Sequence, residues 1–368
     1  MATQKPFRIG IIRCDSHAYW YAPFFGEVEP LVLAAYSDDA PTRQSVHAYG
    51  CVTNNYQQMA IQPVPGLVVT KVFDRIGDQS PENTDPELLQ YGTYPGRAEE
   101  FSKTLLSHPQ VCHNLEDLFE DIDGVFVADS SSPYDGDDHL ELARPFLERG
   151  IPCFVDKPFA ATFADAKAMV ELAKANNTPL MNASLLRHTD VGKLFRKRHA
   201  EIGEPGLLVV KGVGFNNSAV GHGISLAHSQ FGYGVEAVEA MGAKPEPGRK
   251  HWNLASAKYY IEHLLLHYPD GRQAMVMSTS SDWYQSTSEF YCSVFSNQGV
   301  LHAPGIGDRE FLTGGAAVTK LFIQMIETRT HPVPYEEILE VIAIIEAGRI
   351  AQQTGQRTAI SEVWDGKG

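Results

Sequence analysis

Short apolar runs alternate with helix-like stretches through the first 180 residues, and this order constrains the fold more than any other feature of the chain. The strand-like runs are rich in β-branched residues and cover residues 7–12, 67–73, 124–128, 151–155 and 179–184. Apolar residues at helical spacing cover 115–122, 139–149 and 163–177. Gly150 follows the second of these stretches, as a glycine does at a helix C-terminus. Alternating strands and helices imply right-handed βαβ units, so we predict an α/β fold with a Rossmann-like, doubly wound parallel sheet.

The second half of the chain has a different pattern. Longer strand-like runs cover 207–215, 259–268, 273–280 and 290–299, and two helices are predicted at 314–329 and 335–354. Pro269-Asp270-Gly271 supplies a hairpin turn. We predict a Rossmann-like dinucleotide-binding domain at 1–160, with an ordered aromatic insertion at about 22–66, and a substrate and oligomerisation domain at 161–368. The second domain is α+β, with a mostly antiparallel open sheet.

Charge, hydropathy and cysteine usage exclude several classes of protein. The 368 residues contain 30 Lys and Arg against 45 Asp and Glu, a formal net charge of −15, which disfavours binding to nucleic acid or anionic lipid. No run of apolar residues is long enough to span a membrane, and the N-terminus leads into a strand without a signal-peptide core. The 5 cysteines form no Cys-x-x-Cys pair, as expected of a reduced protein. We therefore expect a cytoplasmic protein with neither nucleic-acid nor membrane partners.

Two segments carry a family resemblance: residues 123–129 (DGVFVAD) and residues 150–160 (GIPCFVDKPFA). They resemble the Gfo/Idh/MocA family of sugar and cyclitol dehydrogenases, in which a Glu-Lys-Pro motif ends the corresponding strand. Asp156-Lys157-Pro158 stands in that place here. The resemblance covers about residues 67–210 well and the rest in outline. It implies a homodimer or homotetramer, a small carbohydrate or cyclitol substrate, and a catalytic Lys157 beside a nicotinamide.

The chemistry of Lys157 also follows from its position. A lysine at the carboxyl end of a parallel strand points into the crevice where such sheets bind ligands, and the following proline restricts the backbone. An ammonium group there can hold a substrate hydroxyl while hydride leaves the carbon. The other interpretation is a surface lysine before a turn.

The glycine-rich phosphate loop of the family is altered in this chain. Its three glycine positions fall on Arg13, Asp15 and Ala18, and alanine is an accepted residue only at the last of these. The guanidinium of Arg13 can bind phosphate, whereas the carboxylate of Asp15 repels a diphosphate. The expected cofactor is NAD or NADP, bound in an altered manner.

Other cofactor contacts are implied by the resemblance. Asp74 stands where the family has an acid for the adenosine ribose, and the neighbouring Arg75 favours a 2′-phosphate. The loop that begins with Asp129 and Ser130 stands beside the nicotinamide half. The remaining predicted contacts are Asp156, Lys157 and Pro158.

The family also carries an Asp-x-x-x-His pattern in the second domain, with the histidine ten residues before a terminal glycine of a helix. Counted back from Gly242, that position falls on Gly232, next to Tyr233. His228 lies about one turn earlier and is the first candidate for general acid/base, with Tyr233 as the second. His222, between two glycines, is expected on a flexible loop in contact with substrate.

Two further groups of residues are candidates for binding. Arg187 and His188 follow a strand and match a family segment that lines the substrate site. A divalent metal is a weaker alternative, because carboxylates and imidazoles follow two neighbouring strands. Its candidate ligands are Asp15, His17, Asp138 and His139. An aspartate directly before a helix, as Asp138 is, is more often an N-cap than a metal ligand.

These features favour an oxidoreductase that transfers hydride between a nicotinamide cofactor and a hydroxyl of a sugar, sugar derivative or cyclitol. Lys157 would orient the hydroxyl, His228 would relay its proton, and Asp74 would hold the cofactor ribose. The alternative is a carbohydrate-active relative that has lost the redox cofactor and acts as a lyase, isomerase or hydrolase. A third interpretation is a relative that only binds a sugar. The altered loop at Arg13 favours the last two interpretations, and Asp74 with Lys157 favours the first.

Overall fold

A computed structural model of the chain describes residues 5–14, 16–29, 32, 63–74, 96–128, 136–212, 217–241, 263–278 and 290–366. The chain divides into two compact units, each built from several segments. Unit 1 comprises Met1–Phe159, Ala168–Asn182 and Val318–Val333, and unit 2 comprises Ala160–Lys167, Ala183–Ala317 and Pro334–Gly368. The predicted domain boundary at residue 160 stays a prediction. Most of the predicted insertion at about 22–66 lies outside the described residues.

The sheet of unit 1 contains six parallel strands. They are β1 (Phe7–Ile12), β2 (Leu67–Phe73), β3 (Gln110–Val111), β4 (Gly124–Val127), β5 (Cys153–Val155) and β6 (Leu180–Met181). Their spatial order is β3-β2-β1-β4-β5-β6, which is the order of a dinucleotide-binding Rossmann sheet. The order reverses between β1 and β4, so a ligand crevice is expected outside the carboxyl ends of these two strands.

Four helices accompany this sheet in the described chain: α1 (Ser16–Phe25), α2 (Arg97–Thr104), α3 (His139–Glu148) and α4 (Phe163–Ala175), the last with its first residues in unit 2. Gly150 has φ 76 after α3, as predicted for a glycine at a helix end. The predicted helix at 115–122 is instead a single 3-10 turn, Leu115–Leu118. Asp121 takes φ 58, a left-handed conformation that an α-helix cannot continue through.

Aromatic side chains form the core around the centre of this sheet. Phe126 on β4 and Phe154 on β5 lie 4.6 Å apart, measured between ring centroids. Tyr21 and Phe25 of α1 pack edge-on against Phe126 at 5.0 and 5.4 Å. Phe322 lies 5.6 Å from Phe154 on the same side. Burying each ring contributes about 1.5–3 kcal/mol, so this cluster holds α1 firmly against β4 and β5.

The sheet of unit 2 contains seven strands. They are β7 (Leu207–Lys211), β8 (Ala237–Met241), β9 (His263–His267), β10 (Gln273–Met277), β11 (Tyr291–Ser296), β12 (Gly299–His302) and β13 (Thr358–Ala359), in the order β12-β11-β7-β10-β9-β8-β13. Within this sheet, β7–β10 is the only parallel pair among the described strands. The predicted hairpin turn at Asp270-Gly271 joins β9 to β10. The predicted run 290–299 ends at Ser296, where the chain reverses into β12. The predicted fold class is confirmed.

The remaining helices are α5 (Asp190–Arg198), α6 (Asn217–Phe231), α7 (Asp308–Thr328), α8 (Tyr335–Thr354) and α9 (Ile360–Trp364). Helix α7 begins six residues before its predicted start and contributes to both units. Helix α6 was not predicted, since its glycines interrupt the apolar pattern. A Cβ at Gly223 would come 2.7 Å from Val276, so glycine allows α6 to lie directly against β10. Among the described helices, none has the length and hydropathy needed to cross a bilayer.

Candidate functional site

Arg13 follows β1 at the first glycine position of the altered phosphate loop. Its φ is 70, which lies in the left-handed region that glycine adopts most easily. The backbone therefore retains a conformation suited to glycine although the residue is arginine. The Arg13 N–H donates to the Phe73 carbonyl at 2.8 Å, which ties this turn to the end of β2. The Arg13 side chain is 7% exposed.

The guanidinium of Arg13 extends from the end of β1 toward the end of β4, where the strand order of the sheet reverses. One of its nitrogens lies 3.8 Å from a carboxylate oxygen of Asp138. Asp138 stands at the predicted N-cap position of α3, the helix that follows β4, but its side chain makes no capping hydrogen bond. Because β1 and β4 are neighbours, this ion pair spans the crevice where a dinucleotide would bind.

The Asp156-Lys157-Pro158 motif follows β5 at the same edge of the sheet. The Asp156 N–H donates to the Val127 carbonyl at 2.9 Å. The Asn182 amide donates to the Asp156 carbonyl at 3.0 Å, and the Lys157–Pro158 peptide bond is cis. The Lys157 side chain is half-buried. These bonds fix the backbone of the motif at the carboxyl end of the sheet, as the sequence predicted.

His17, the second residue of α1, contacts the same motif. Its Nδ1 bonds to Oδ2 of Asp156, whose side chain is 1% exposed, whereas the His17 ring is 21% exposed. Tyr21, one turn further along α1, is buried, and this burial together with the charge of Asp156 raises its pKa well above the ordinary value. The sequence indicated that His17 follows β1 and offered it as a candidate ligand of the alternative metal site. Its pairing with Asp156 was not predicted.

The other predicted residues of unit 1 are only partly described. Asp74 directly follows β2, next to the carbonyl that accepts from Arg13, and is half-buried. Asp15, Arg75, Asp129 and Ser130 lie outside the described residues.

The metal alternative gains no support from the described part of unit 1. His139 is buried, and its Nδ1 lies 3.2 Å from the Phe159 carbonyl oxygen. His17 pairs with Asp156, and Asp138 faces Arg13. Where the chain is described, no three His, Cys, Asp or Glu side chains are grouped to hold a metal ion.

In unit 2, the glycine that ends helix α6 is Gly232, ten residues before the Gly242 from which the sequence count started. The helix ends at Phe231, and Gly232 follows with φ 84, its N–H donating to the His228 carbonyl at 2.8 Å. Counting from Gly242 was wrong, because residues 237–241 form strand β8. His222 stands ten residues before Gly232, and Ser218 stands four residues before His222.

His222 lies within helix α6 and not on a flexible loop. Its Nδ1 is 2.7 Å from Oγ of Ser184, a buried residue. Its ring packs edge-on against Phe290, with 5.9 Å between ring centroids. The ring is half-buried, so it is held on two sides and remains accessible on another.

His228 and Tyr233, the first candidates from the sequence, occupy contrasting positions. The His228 side chain is fully buried, and its Nε2 lies 3.1 Å from a carboxylate oxygen of Glu340. The same carboxylate accepts from the backbone N–H groups of Gly234 and Val235 at 2.8 and 3.1 Å. Tyr233 is 54% exposed. His228 is therefore enclosed within unit 2, and its nearest charged partner is a structural carboxylate.

Arg187 and His188 lie together on the 3-10 helix Leu185–His188. The Arg187 guanidinium forms an ion pair with Glu337, which is buried in the first turn of α8. Burial, together with the positive charges of Arg187 and Lys193, lowers the pKa of His188 to about 4. His188 is therefore neutral near pH 7.

Comparison with known proteins supports the assignment made from the sequence. Residues 90–184 match the model of the Gfo/Idh/MocA family, described as an oxidoreductase family with an NAD-binding Rossmann fold. The predicted resemblance to this family is confirmed. The matched segment includes the Asp156-Lys157-Pro158 motif. No curated protein matches the chain in sequence.

Several solved structures share the fold along nearly the whole chain. A myo-inositol dehydrogenase from Corynebacterium glutamicum is 15% identical, with a TM-score of 0.63 over 96% of this chain and 99% of that one. A scyllo-inositol dehydrogenase from Lactobacillus casei is 15% identical, with a TM-score of 0.64 over 98% and 99%. An oxidoreductase from Agrobacterium radiobacter, in complex with NAD+, L-tartaric acid and magnesium, is 15% identical, with a TM-score of 0.62 over 97% and 99%. At such identities, the likeness establishes a common fold.

Proposed function

We propose that this chain, a relative of the Gfo/Idh/MocA oxidoreductases, is an NAD- or NADP-dependent dehydrogenase that oxidises a hydroxyl of a sugar, sugar derivative or cyclitol. The observation that carries the proposal is the place of Lys157, at the carboxyl end of β5, inside the segment that matches the family. Open α/β sheets bind their ligands at that edge. The inositol dehydrogenases among the structures of the same fold favour a polyol as substrate.

The described residues fit a dinucleotide at the end of β1. Arg13 retains the backbone conformation of the phosphate-loop glycine, and helix α1 begins three residues later. The N-terminus of a helix attracts phosphate through its unpaired N–H groups and its dipole. Arg13 and the first turn of α1 would hold the diphosphate, with the guanidinium supplying positive charge, and Asp74 would hold the ribose. The nicotinamide, when bound, accepts the hydride.

Lys157 is the group proposed to act on the substrate hydroxyl. Its ammonium would donate a hydrogen bond to the hydroxyl oxygen and stabilise the negative charge that grows there as hydride leaves the carbon. The fixed backbone around Asp156 supports this role, because a catalytic group is effective only when its position is held.

His222, in place of His228, is the residue proposed as general acid/base. His222 matches the family position when the count starts at the observed end of α6, and its ring is half-buried. Ser184 bonds to its Nδ1, which orients the ring and leaves proton exchange to Nε2. The ring of His228 is fully buried against Glu340, a position suited to holding structure.

The test is reduction of NAD+ or NADP+ by the wild-type chain with myo-inositol, scyllo-inositol and D-glucose, followed by the absorbance of the reduced nicotinamide. Lys157→Ala is expected to lower kcat by about 100-fold or more, since it removes an acid/base group. The matched control is Lys103→Ala, at an exposed lysine of α2 in the same unit. Full turnover by Lys157→Ala would remove the central assignment.

One observation favours the second candidate function, a relative without the redox cofactor that acts as a lyase, isomerase or hydrolase. The Arg13–Asp138 ion pair crosses the switch point, where a diphosphate has to compete with the Asp138 carboxylate. Under this alternative, the same substrates would be converted without any reduction of NAD+ or NADP+. Product analysis by mass spectrometry, run beside the absorbance assay, separates the two functions.

A further inference from the structure

The contact between His17 and Asp156 joins two parts of unit 1 that are distant in sequence. His17 belongs to the first turn of α1, after β1, and Asp156 follows β5. Strands β1 and β5 lie on either side of β4, so the contact between His17 and Asp156 passes over the carboxyl end of β4. We propose that His17 is a positioning residue, which holds the Asp156 carboxylate and through it fixes the direction of the neighbouring Lys157.

Asp156 needs a partner in the place where it lies. Its side chain is 1% exposed, and a buried carboxylate is costly unless it is paired and hydrogen-bonded. The Nδ1 of His17 provides that bond. Tyr21, which also lies near this charge, stays a neutral phenol because its pKa is raised, so it adds no compensating charge.

Loss of the His17 ring affects Lys157 through one residue, because its partner Asp156 directly precedes Lys157. The backbone of Asp156 is bonded on both sides, through its N–H to Val127 and through its carbonyl to Asn182. An Asp156 side chain that loses its partner has to rotate or acquire a new one, and Lys157 is the next residue along the chain. A shift of about 1 Å in a reacting group is enough to cost about 100-fold in rate.

The imidazole of His17 contacts Asp156, a residue at which this chain differs from its relatives. The family motif begins with glutamate, whereas Asp156 is one methylene shorter. His17 reaches this shorter carboxylate from the helix that begins three residues after Arg13. The contact therefore links the end of the crevice assigned to phosphate with the end that holds Lys157.

The kinetic part of the test rests on the proposed function and uses three variants. His17→Ala removes the contact, whereas His17→Asn keeps an amide N–H close to the place of Nδ1 but has no titratable ring. His113→Ala, at an exposed histidine of unit 1, is the control. His17→Ala is expected to lower kcat by about 100-fold with little change in KM for the polyol, and His17→Asn to recover most of that loss. Equal loss in His17→Asn and His17→Ala would overturn the proposal.

A second readout needs no substrate or cofactor. Lysines of the intact chain are reductively methylated with a carbon-13 label, and the NMR signal of Lys157 is identified by its absence from Lys157→Arg. This signal is expected to shift or broaden in His17→Ala and to stay in place in His17→Asn and His113→Ala. An unchanged signal in folded His17→Ala would overturn the positioning role. If the wild-type chain reduces neither NAD+ nor NADP+ with any polyol, the proposed function fails, and the NMR signal alone decides the role of His17.

Discussion

Replacing Glu340 by alanine tests how unit 2 holds the end of helix α6. The Glu340 carboxylate accepts from the N–H of Gly234 at 2.8 Å and from the buried N–H of Val235 at 3.1 Å, and it lies 3.1 Å from Nε2 of His228. A hydrogen bond to a charged group contributes about 1.5–3 kcal/mol, and a buried donor left without an acceptor costs about 1–3 kcal/mol. The Gly234 N–H lies at an exposed residue and can bond to water, which limits its share. We expect Glu340→Ala to lower the free energy of unfolding by about 3–5 kcal/mol.

The assay is urea unfolding followed by tryptophan fluorescence and far-UV circular dichroism. The measured quantity is the free energy of unfolding for the transition assigned to unit 2. Glu340→Gln keeps one acceptor oxygen and is expected to lose about 1–2 kcal/mol. Glu336→Ala is the control, because Glu336 is exposed in the first turn of the same helix and its loss costs at most about 1 kcal/mol. A loss for Glu340→Ala no larger than that of Glu336→Ala would show that the Glu340 carboxylate does not stabilise the end of α6.

Three further predictions concern packing, reactivity and pH. A Cβ at Gly314 would overlap the carbonyl oxygen of Leu185, so Gly314→Ala should lower the melting temperature and raise KM for the polyol, because Leu185 begins the segment that carries Arg187. Burial raises the pKa of Cys292 to about 12, so this thiol should react with iodoacetamide at neutral pH only after unfolding, as peptide mass mapping would show. The pKa of His188 is lowered to about 4 in the folded chain, so the unfolded chain binds more protons between about pH 4 and 6.5. Stability should therefore fall as pH drops through this window, by up to about 3 kcal/mol for this group, and His188→Gln should flatten the loss measured by urea unfolding.

The elements that sequence predicted best are those specified by local pattern. Strands Phe7–Ile12 and Leu67–Phe73 and helix Tyr335–Thr354 have the bounds that their apolar periodicity predicts. Each is rich in apolar residues, and turn or cap residues such as Gly66 before the second strand and Gly355 after the helix mark the ends. The parallel order of the first sheet followed from the alternation of such elements, and so did the place of Lys157 after a strand of that sheet. The catalytic role of Lys157 rests mainly on the family resemblance and stays a prediction.

The parts that sequence missed depend on tertiary contact. Helix α6 was missed because Gly221 and Gly223 resemble loop residues, and only the approach of Val276 explains why glycine is needed at position 223. That error also moved the count for the expected catalytic histidine away from His222, the residue proposed here for that role. The His17–Asp156 contact joins residues 139 apart in sequence, and no local pattern specifies which histidine meets which carboxylate.

The central claim, that this chain is a nicotinamide-dependent dehydrogenase, is tested most directly by native mass spectrometry of the purified protein with added NAD+ and NADP+. We expect a mass increment of one dinucleotide per chain with at least one of the two. The bound fraction should fall in Arg13→Ala, which removes the guanidinium proposed to hold the diphosphate. Folded wild-type protein that shows no increment with either dinucleotide would contradict the central claim.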